Sequence, residues 1–263
     1  MMNEVKLLIF DMDDTVINHG HMTKPAWIKT GEEMVKAFSL DLDGSLLGKE
    51  IGNVSESIFE DENKRPRGNY SPKELRKKII EEALEHLKIE LHEDKINYMI
   101  HKYDEIKQEL VCVYDDVFDT LIELKKRGYI LTLLTNGDSA FQRNKIKRFN
   151  LDPYFDKTFV SGEMGVDKPH KEVYYKIVDE FHLQPEETCM IGDNYLWEVV
   201  APKKYGLKGI WVNRDDKYKI EDVLPDYTIQ NISELLNIFK KVEKVIPFPP
   251  LHLYQSQSLQ SYH

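Results

Sequence analysis

The sequence predicts an α/β protein, a doubly wound parallel sheet of Rossmann-like type with an inserted α-helical domain. Three features predict it. The chain opens with a short apolar run, Val5-Lys6-Leu7-Leu8-Ile9-Phe10, that ends in an acidic turn, Asp11-Met12-Asp13-Asp14-Thr15. Residues 16–113 are highly charged and patterned as helices, with no strand signal. From Asp115 onward, strand and helix patterns alternate at the spacing of right-handed βαβ crossovers, which build a parallel sheet covered on both faces.

Taken in order, the first run reads as a strand buried on both faces, because apolar residues dominate it instead of alternating with polar ones. Thr23 and Pro25 open a helix that should carry Trp27, Met34 and Phe38. Ser71-Pro72-Lys73-Glu74 is a capping box with Pro at the first helical position, and Leu75, Ile79, Ala83 and Leu87 follow at helical spacing. A helix with Val117, Leu121 and Leu124 stops at Gly128, and Tyr129 to Thr135 reads as a second strand. A helix after Asp138-Ser139 leads to a strand near Thr158-Phe159-Val160. Another, from His170 to Phe181, precedes the strand Thr188-Cys189-Met190-Ile191; a last helix ending near Gly206 precedes Gly209-Ile210-Trp211-Val212. The first strand joins this sheet most economically. The domains are then 1–15 with 114–245 for the sheet, 16–113 for the helices, and 246–263 for a loose tail rich in Pro, Ser and Gln.

Composition narrows the function classes. With 263 residues, 41% apolar and 31% charged, the chain can bury a full core. No apolar run approaches the roughly 20 residues of a membrane span, and Met1 to Glu4 lacks the basic start of a signal peptide. The 36 Lys+Arg against 46 Asp+Glu give a net charge of −10, which argues against nucleic acid or an anionic membrane as partner and leaves a small metabolite. Cys112 and Cys189 form no metal pattern and read as buried thiols of a cytoplasmic protein. Nothing fixes the oligomeric state, and a monomer is compatible with the sequence.

Open parallel sheets bind ligands beyond the carboxyl ends of their strands. The polar residues there form one chemical set: Asp11 and Asp13, then Thr135-Asn136-Gly137, then Gly192-Asp193-Asn194, with Lys168-Pro169 just past the third strand. Carboxylates held close repel by about 4 kcal/mol per pair at ~4 Å and an effective dielectric near 20. Lys168 alone does not offset that. Hard oxygen donors without His or Cys favour Mg²⁺, bound by Asp11, Asp193 and a phosphate oxygen together. Two acids at i and i+2 after a strand divide the work: Asp11 attacks phosphorus and Asp13 serves as acid, then base. Thr135, Asn136, nearby backbone amides and Lys168 would hold the phosphoryl oxygens.

In order and position, Asp11-Met12-Asp13-Asp14-Thr15, Thr135-Asn136-Gly137, Lys168-Pro169 and Gly192-Asp193 resemble the four motifs of the haloacid dehalogenase superfamily. The inserted helices are similar to that family's cap domain. The resemblance implies a Mg²⁺-dependent phosphohydrolase with Asp11 as nucleophile, Asp13 as acid/base and Asp193 as metal ligand, the Asp13 backbone carbonyl also binding the metal. Dehalogenases of the family lack the second acid of the first motif, so Asp13 favours phosphatase chemistry. One position departs from the pattern: the second acid of the fourth motif is Glu198 where the family usually has Asp. The expected substrate is a small phosphate monoester, a nucleoside monophosphate, a sugar phosphate or phosphoglycolate.

Other readings compete. A sugar-phosphate mutase uses the same aspartyl phosphate, and a non-catalytic phosphometabolite-binding protein fits Glu198 and the unusual tail. A signalling receiver domain needs an acceptor Asp where this chain has Thr135-Asn136-Gly137, and it has no helical insertion. Asp14 reads as a local hydrogen-bond anchor. Asp41-Leu42-Asp43-Gly44-Ser45 mimics the first motif but follows a helix and lacks the glycine position of a calcium loop, so it reads as an interhelical turn. His19 and His21 read as a solvated hinge, and Lys64-Arg65-Pro66-Arg67-Gly68 as an exposed loop that would otherwise meet a second anionic group of the substrate.

Overall fold

The computed structural model describes residues 2–60, 71–216 and 222–240. Among these residues, six short strands form one sheet: β1 (Leu7–Phe10), β2 (Ile130–Thr135), β3 (Lys157–Val160), β4 (Thr188–Gly192), β5 (Lys208–Val212) and β6 (Tyr227–Ile229). Their order is β3-β2-β1-β4-β5-β6, and every neighbouring pair is parallel. The chain works outward from β1 to β3, then returns to the other side of β1 at β4. That reversal places a crevice beyond the carboxyl ends of β1 and β4, where Asp11 and Asp193 follow their strands.

Helices α1 (Thr23–Phe38), α2 (Gly44–Glu60), α3 (Pro72–Leu87) and α4 (Glu93–Leu110) all lie between β1 and β2 in sequence. They are followed by α5 (Val117–Lys126), α6 (Ser139–Arg148), α7 (Ser161–Met164), α8 (Lys171–Glu180), α9 (Ala201–Lys204) and α10 (Leu235–Ile238). The sheet is apolar on both sides, as its strands' composition requires. Leu7, Ile9, Leu134 and Met190 pack on Val173, Tyr174 and Ile177 of α8. Leu8, Phe10, Leu131 and Leu133 meet Val117, Leu121 and Leu124 of α5 and Ile146 of α6.

The first four helices have a core of their own, in which Trp27, Met34, Leu47, Ile51, Ile80 and Met99 are buried. The Trp27 ring stacks on Tyr103 with centroids 3.8 Å apart. Helices α1 and α2 touch backbone to backbone. A Cβ at Gly31 would lie 2.2 Å from the Gly44 carbonyl, and one at Gly48 2.4 Å from the Trp27 carbonyl. The capping box at α3 forms as expected: Glu74 N donates to Ser71 Oγ at 3.3 Å and Ser71 N to Glu74 Oε2 at 2.7 Å. At α1 the N-cap is Met22, and Thr23 is already helical, its hydroxyl accepting from Lys107 Nζ at 2.9 Å. Phe38, at the end of α1, stands 36% exposed, edge-on to Tyr98.

The two segments that join the helices to the sheet pair with each other. Asn18 N donates to the Cys112 carbonyl at 3.1 Å, Cys112 N to Asn18 Oδ1 at 2.7 Å, and Tyr114 N to the Val16 carbonyl at 3.1 Å. Cys112 is therefore exposed, contrary to the sequence reading, because it lies on this surface connection; Cys189, on β4, is buried. Asp43 Oδ1 accepts from Leu46 N at 3.0 Å in the turn that starts α2, so Asp41-Leu42-Asp43-Gly44-Ser45 is the interhelical turn its context implied.

Strand β6 was not legible in advance. It has three residues and only Ile229 is buried, too short a stretch for periodicity to register. Past it, Arg127 donates to the Leu236 and Phe239 carbonyls at 2.6 and 2.8 Å and fastens α10 to α5. The basic stretch Lys64–Gly68 and the tail from Ile246 lie outside the described residues.

Candidate active site

Asp11 sits immediately past β1, 7% exposed, with its carboxylate on Lys168. Lys168 Nζ lies 2.6 Å from Asp11 Oδ1 and 2.8 Å from Glu198 Oε1, and the lysine side chain is wholly enclosed. Burial raises the Asp11 carboxyl above its ordinary value despite the attraction of Lys168, and lifts Glu198 to about 8. Burial opposes the Lys168 charge as well, but Asp11 and Glu198 outweigh it and the net shift is upward. One cation shared by two acids is thus a tightly bound buried cluster.

The local backbone makes this cluster fit. Glu198 is carried on a π-helical turn, Leu196–Val200, and a Cβ at Gly192 would come 2.3 Å from Glu198 Cγ and 2.8 Å from Asp11 Cβ. Only glycine lets the longer acid enter. Glu198 therefore supports Lys168, while its other oxygen, Oε2, is buried without a hydrogen-bond partner among the described residues. Asn136 is committed to the same lysine from behind. Its Nδ2 donates to the Lys168 carbonyl and its Oδ1 accepts from Lys168 N, both at 2.9 Å.

Asp13 faces the other way, toward α6. Lys145 Nζ lies 2.7 and 2.6 Å from its two oxygens, and Gln142 Nε2 lies 3.1 Å from Oδ2 and 2.7 Å from Thr135 Oγ1. Burial would raise the Asp13 carboxyl, yet Lys145, His19 and Gln142 together hold it below the usual carboxylate range. Gln142 and Lys145 escaped sequence reasoning. A signal was present: they are at i and i+3 on a helix whose cap, Asp138, immediately follows the Thr135 motif, so both project toward the strand ends.

Asp14 is the anchor the sequence implied, accepting from Gly20 N at 2.7 Å and His21 N at 3.0 Å. His19 departs from a solvated hinge. Burial and the neighbouring Lys107 push it down to about 3, and its Nδ1 is 3.9 Å from Asp13 Oδ1. His21 Nε2 is 3.0 Å from Asp215 Oδ2, and its Nδ1 meets the Tyr114 hydroxyl.

Asp193 follows β4 and lies half-buried against Thr15, whose hydroxyl accepts from Asp193 N at 3.1 Å and lies 3.4 Å from Asp193 Oδ1. Burial, then Asp11, Glu198 and Asp14, push this carboxyl well above its ordinary value. Among the described residues no cationic side chain pairs with Asp193. A hard divalent cation suits that imbalance, and the donors present are oxygens. No group of three or more His, Cys, Asp and Glu side chains forms a ready cage among the described residues. Backbone carbonyl, water and substrate oxygens would have to complete the shell, which is how Mg²⁺ is usually held.

The fold and the strand-end residue set together define a class. The family model for haloacid dehalogenase-like hydrolases matches residues 5–206, and the chain belongs to that family. Among proteins of known name, it is similar to the glyceraldehyde 3-phosphate phosphatase of Pyrococcus furiosus, with 27% identity over 91% of this chain and 95% of that one. It is also similar to the pyrophosphatase PpaX of Bacillus mycoides, with 29% identity over 77% of this chain and 95% of the relative. The crystal structure of the HAD-hydrolase YfnB from Bacillus subtilis bound to magnesium shares the fold, with a TM-score of 0.65, 23% identity, and coverage of 91% of this chain and 99% of that one. Among the described residues no helix is long and apolar enough to cross a membrane.

Proposed function

We propose that this chain is a Mg²⁺-dependent phosphatase of small phosphate monoesters that works through an aspartyl phosphate on Asp11. The observation that carries the reading is the division of the two acids. Asp11 is gripped by the buried Lys168, while Asp13, two residues on, is gripped separately by Lys145 and Gln142. Two carboxylates in different environments take different roles. The names of the relatives, all phosphatases of small or inorganic phosphorylated compounds, support the same chemistry.

In the first half-reaction an Asp11 oxygen forms a bond to phosphorus while the bond from phosphorus to the leaving oxygen breaks. Asp13 delivers a proton to that leaving oxygen. For this, Lys145 turns from Asp13 to the anionic substrate. In the second half-reaction Asp13 takes a proton from water, whose oxygen bonds to phosphorus as the bond to Asp11 breaks, releasing inorganic phosphate and restoring both acids. Lys168, fixed by Glu198 and Asn136, neutralises the phosphoryl oxygens, and the Thr135 hydroxyl stands beside them. Asp11, Asp193 and the Asp13 backbone carbonyl would hold Mg²⁺, which supplies positive charge so that an anionic carboxylate can approach an anionic ester.

The test is phosphate release from a panel of phosphorylated metabolites and p-nitrophenyl phosphate, with Mg²⁺ and with a chelator. Turnover that requires Mg²⁺ is expected. Turnover undiminished by the chelator contradicts the metal assignment, and none in either condition contradicts the phosphatase reading.

A further inference from the structure

Beside Asp13 lies a cavity of about 150 Å³ between α3, α4 and α6. It joins the site through side chains that touch the acid: Lys145 and His19 line the cavity and also face the Asp13 carboxylate. Asp13 is the group assigned to the leaving oxygen, so the cavity is where the remainder of a monoester would extend.

Its charge is one-sided in a protein of net charge −10. Among the described residues, Arg76, Lys107, Lys145 and Arg148 line it, against a single acid, Asp104. Two of those cations are already matched: Arg76 makes a two-pronged pair with Asp104 at 2.8 and 3.0 Å, and Lys145 pairs with Asp13. The other two have no carboxylate partner among the described residues. Lys107 Nζ donates to the Thr23 hydroxyl at 2.9 Å, and Arg148 donates to the Gln108 carbonyl. Burial, aided by Arg76 and Lys145, pushes Lys107 down to about 8 even though Asp14 draws it up. A half-enclosed ammonium with neutral hydrogen-bond partners is costly to keep charged unless an anion joins it. Phe141, Phe149 and Val111 form the apolar wall that would strengthen such an attraction.

We propose that this cavity receives a second anionic group of the substrate, so that the preferred ester has a leaving alcohol bearing a carboxylate or a further phosphate. The inference rests on the phosphatase reading and narrows its substrate class. A cavity of about 150 Å³ is the size that holds a benzene-sized group, which admits a leaving group of three or four carbons. The cations reach it from three helices far apart in sequence, at Arg76, Lys107 and Arg148.

The experiment compares kcat/KM within matched pairs at fixed Mg²⁺. One pair is 3-phosphoglycerate against glycerol 3-phosphate, which exchanges a carboxylate for a hydroxymethyl group. The other is propanediol bisphosphate against propanediol monophosphate. The anionic member of at least one pair is expected to be preferred roughly tenfold or more, the scale of a charge-assisted hydrogen bond, and the pair that shows it tells carboxylate from phosphate. Lys107→Gln and Arg148→Gln, each checked for folding by circular dichroism, should each shrink that preference severalfold. A wild-type ratio of one or less in both pairs, with p-nitrophenyl phosphate still turned over, overturns this inference and leaves the phosphatase reading intact. A preference that survives both folded variants also overturns it. No turnover of any monoester removes both readings together.

Discussion

The ends of the strands and the inserted helices hold their charges in opposite ways. At the strand ends the ions are enclosed and shared: Lys168 is bound by both Asp11 and Glu198 with nothing of its side chain exposed. In the helical insertion the interior is apolar around Trp27, Met34 and Ile51, and the ion pairs are largely exposed, such as Lys77 with Glu93 at 38% and 67% side-chain exposure. Buried pairs of the first kind hold geometry at a high desolvation cost, whereas exposed pairs of the second kind contribute little. The difference teaches where each part of the function resides. On the proposed reading, reaction chemistry sits on a buried, locally encoded frame, and substrate choice falls to cations that helix packing brings to one cavity.

The comparison is broken most severely at Lys168. Lys168→Met leaves Asp11 and Glu198 enclosed without their cation, and removal of one partner of a buried pair costs about 3–5 kcal/mol. Thermal unfolding should shift down accordingly, and phosphate release should fall by about 100- to 1,000-fold, since an electrostatic group for the phosphoryl oxygens is lost as well. An unchanged melting temperature would show that the cluster is not the frame described here.

Trp27→Ala strikes the other region. Truncating a buried Trp costs about 3–5 kcal/mol, here with loss of the stack on Tyr103. Hydrogen exchange followed by mass spectrometry should show faster exchange in α1, α2 and α4, with β1, β2 and β4 still protected. Equal acceleration in helices and strands would mean that the two regions share one cooperative core.

Glu198→Gln keeps the shape of the side chain and removes the carboxyl that shares Lys168 with Asp11. The expected result is a fall in kcat of about tenfold, equivalent to ~1.4 kcal/mol, with KM little changed. An unaltered kcat would reduce Glu198 to packing.

The smallest effect sharpens the contrast from the exposed side. Arg143, with Ser139, holds Glu163 near 2 against an ordinary value of 4.5. Because the folded value is the lower one, the stability it contributes is present above about 4.5 and is lost as pH falls through about 2. The carboxylate is 39% exposed, so solvent screens it to about 0.5 kcal/mol at most. Urea titrations of the wild type and Glu163→Gln should differ slightly at neutral pH and converge toward pH 2; a gap that widens in acid would reverse the sign.

What the sequence revealed followed the same division. Asp11, Asp13, Thr135 and Asp193 lie at strand ends and Lys168 in the loop after α7, short runs in which a few consecutive residues specify both the turn and the chemistry. The alternation after Asp115 likewise exposed four strands, β2 to β5, and the opening apolar run exposed β1. Gln142 and Lys145 were less visible because a helix face is identified only once its partner is known. Arg76, Lys107 and Arg148 converge through packing of α3, α4 and α6, which no local pattern encodes. Asn136 was placed among the phosphate ligands from its motif, and the structure commits its side chain to the Lys168 backbone. Glu198 stood out as a departure from Asp, but its entry beside Asp11 depends on a π-helical turn and on Gly192, and neither was apparent beforehand.

The covalent bond to phosphorus proposed for Asp11 is probed by Asp11→Asn. The measurement is Mg²⁺-dependent phosphate release from p-nitrophenyl phosphate and from the best metabolite of the panel, with folding verified by circular dichroism. A loss of more than about 1,000-fold is expected, the scale seen when a nucleophile is removed. Release at the wild-type rate from the folded variant would contradict it.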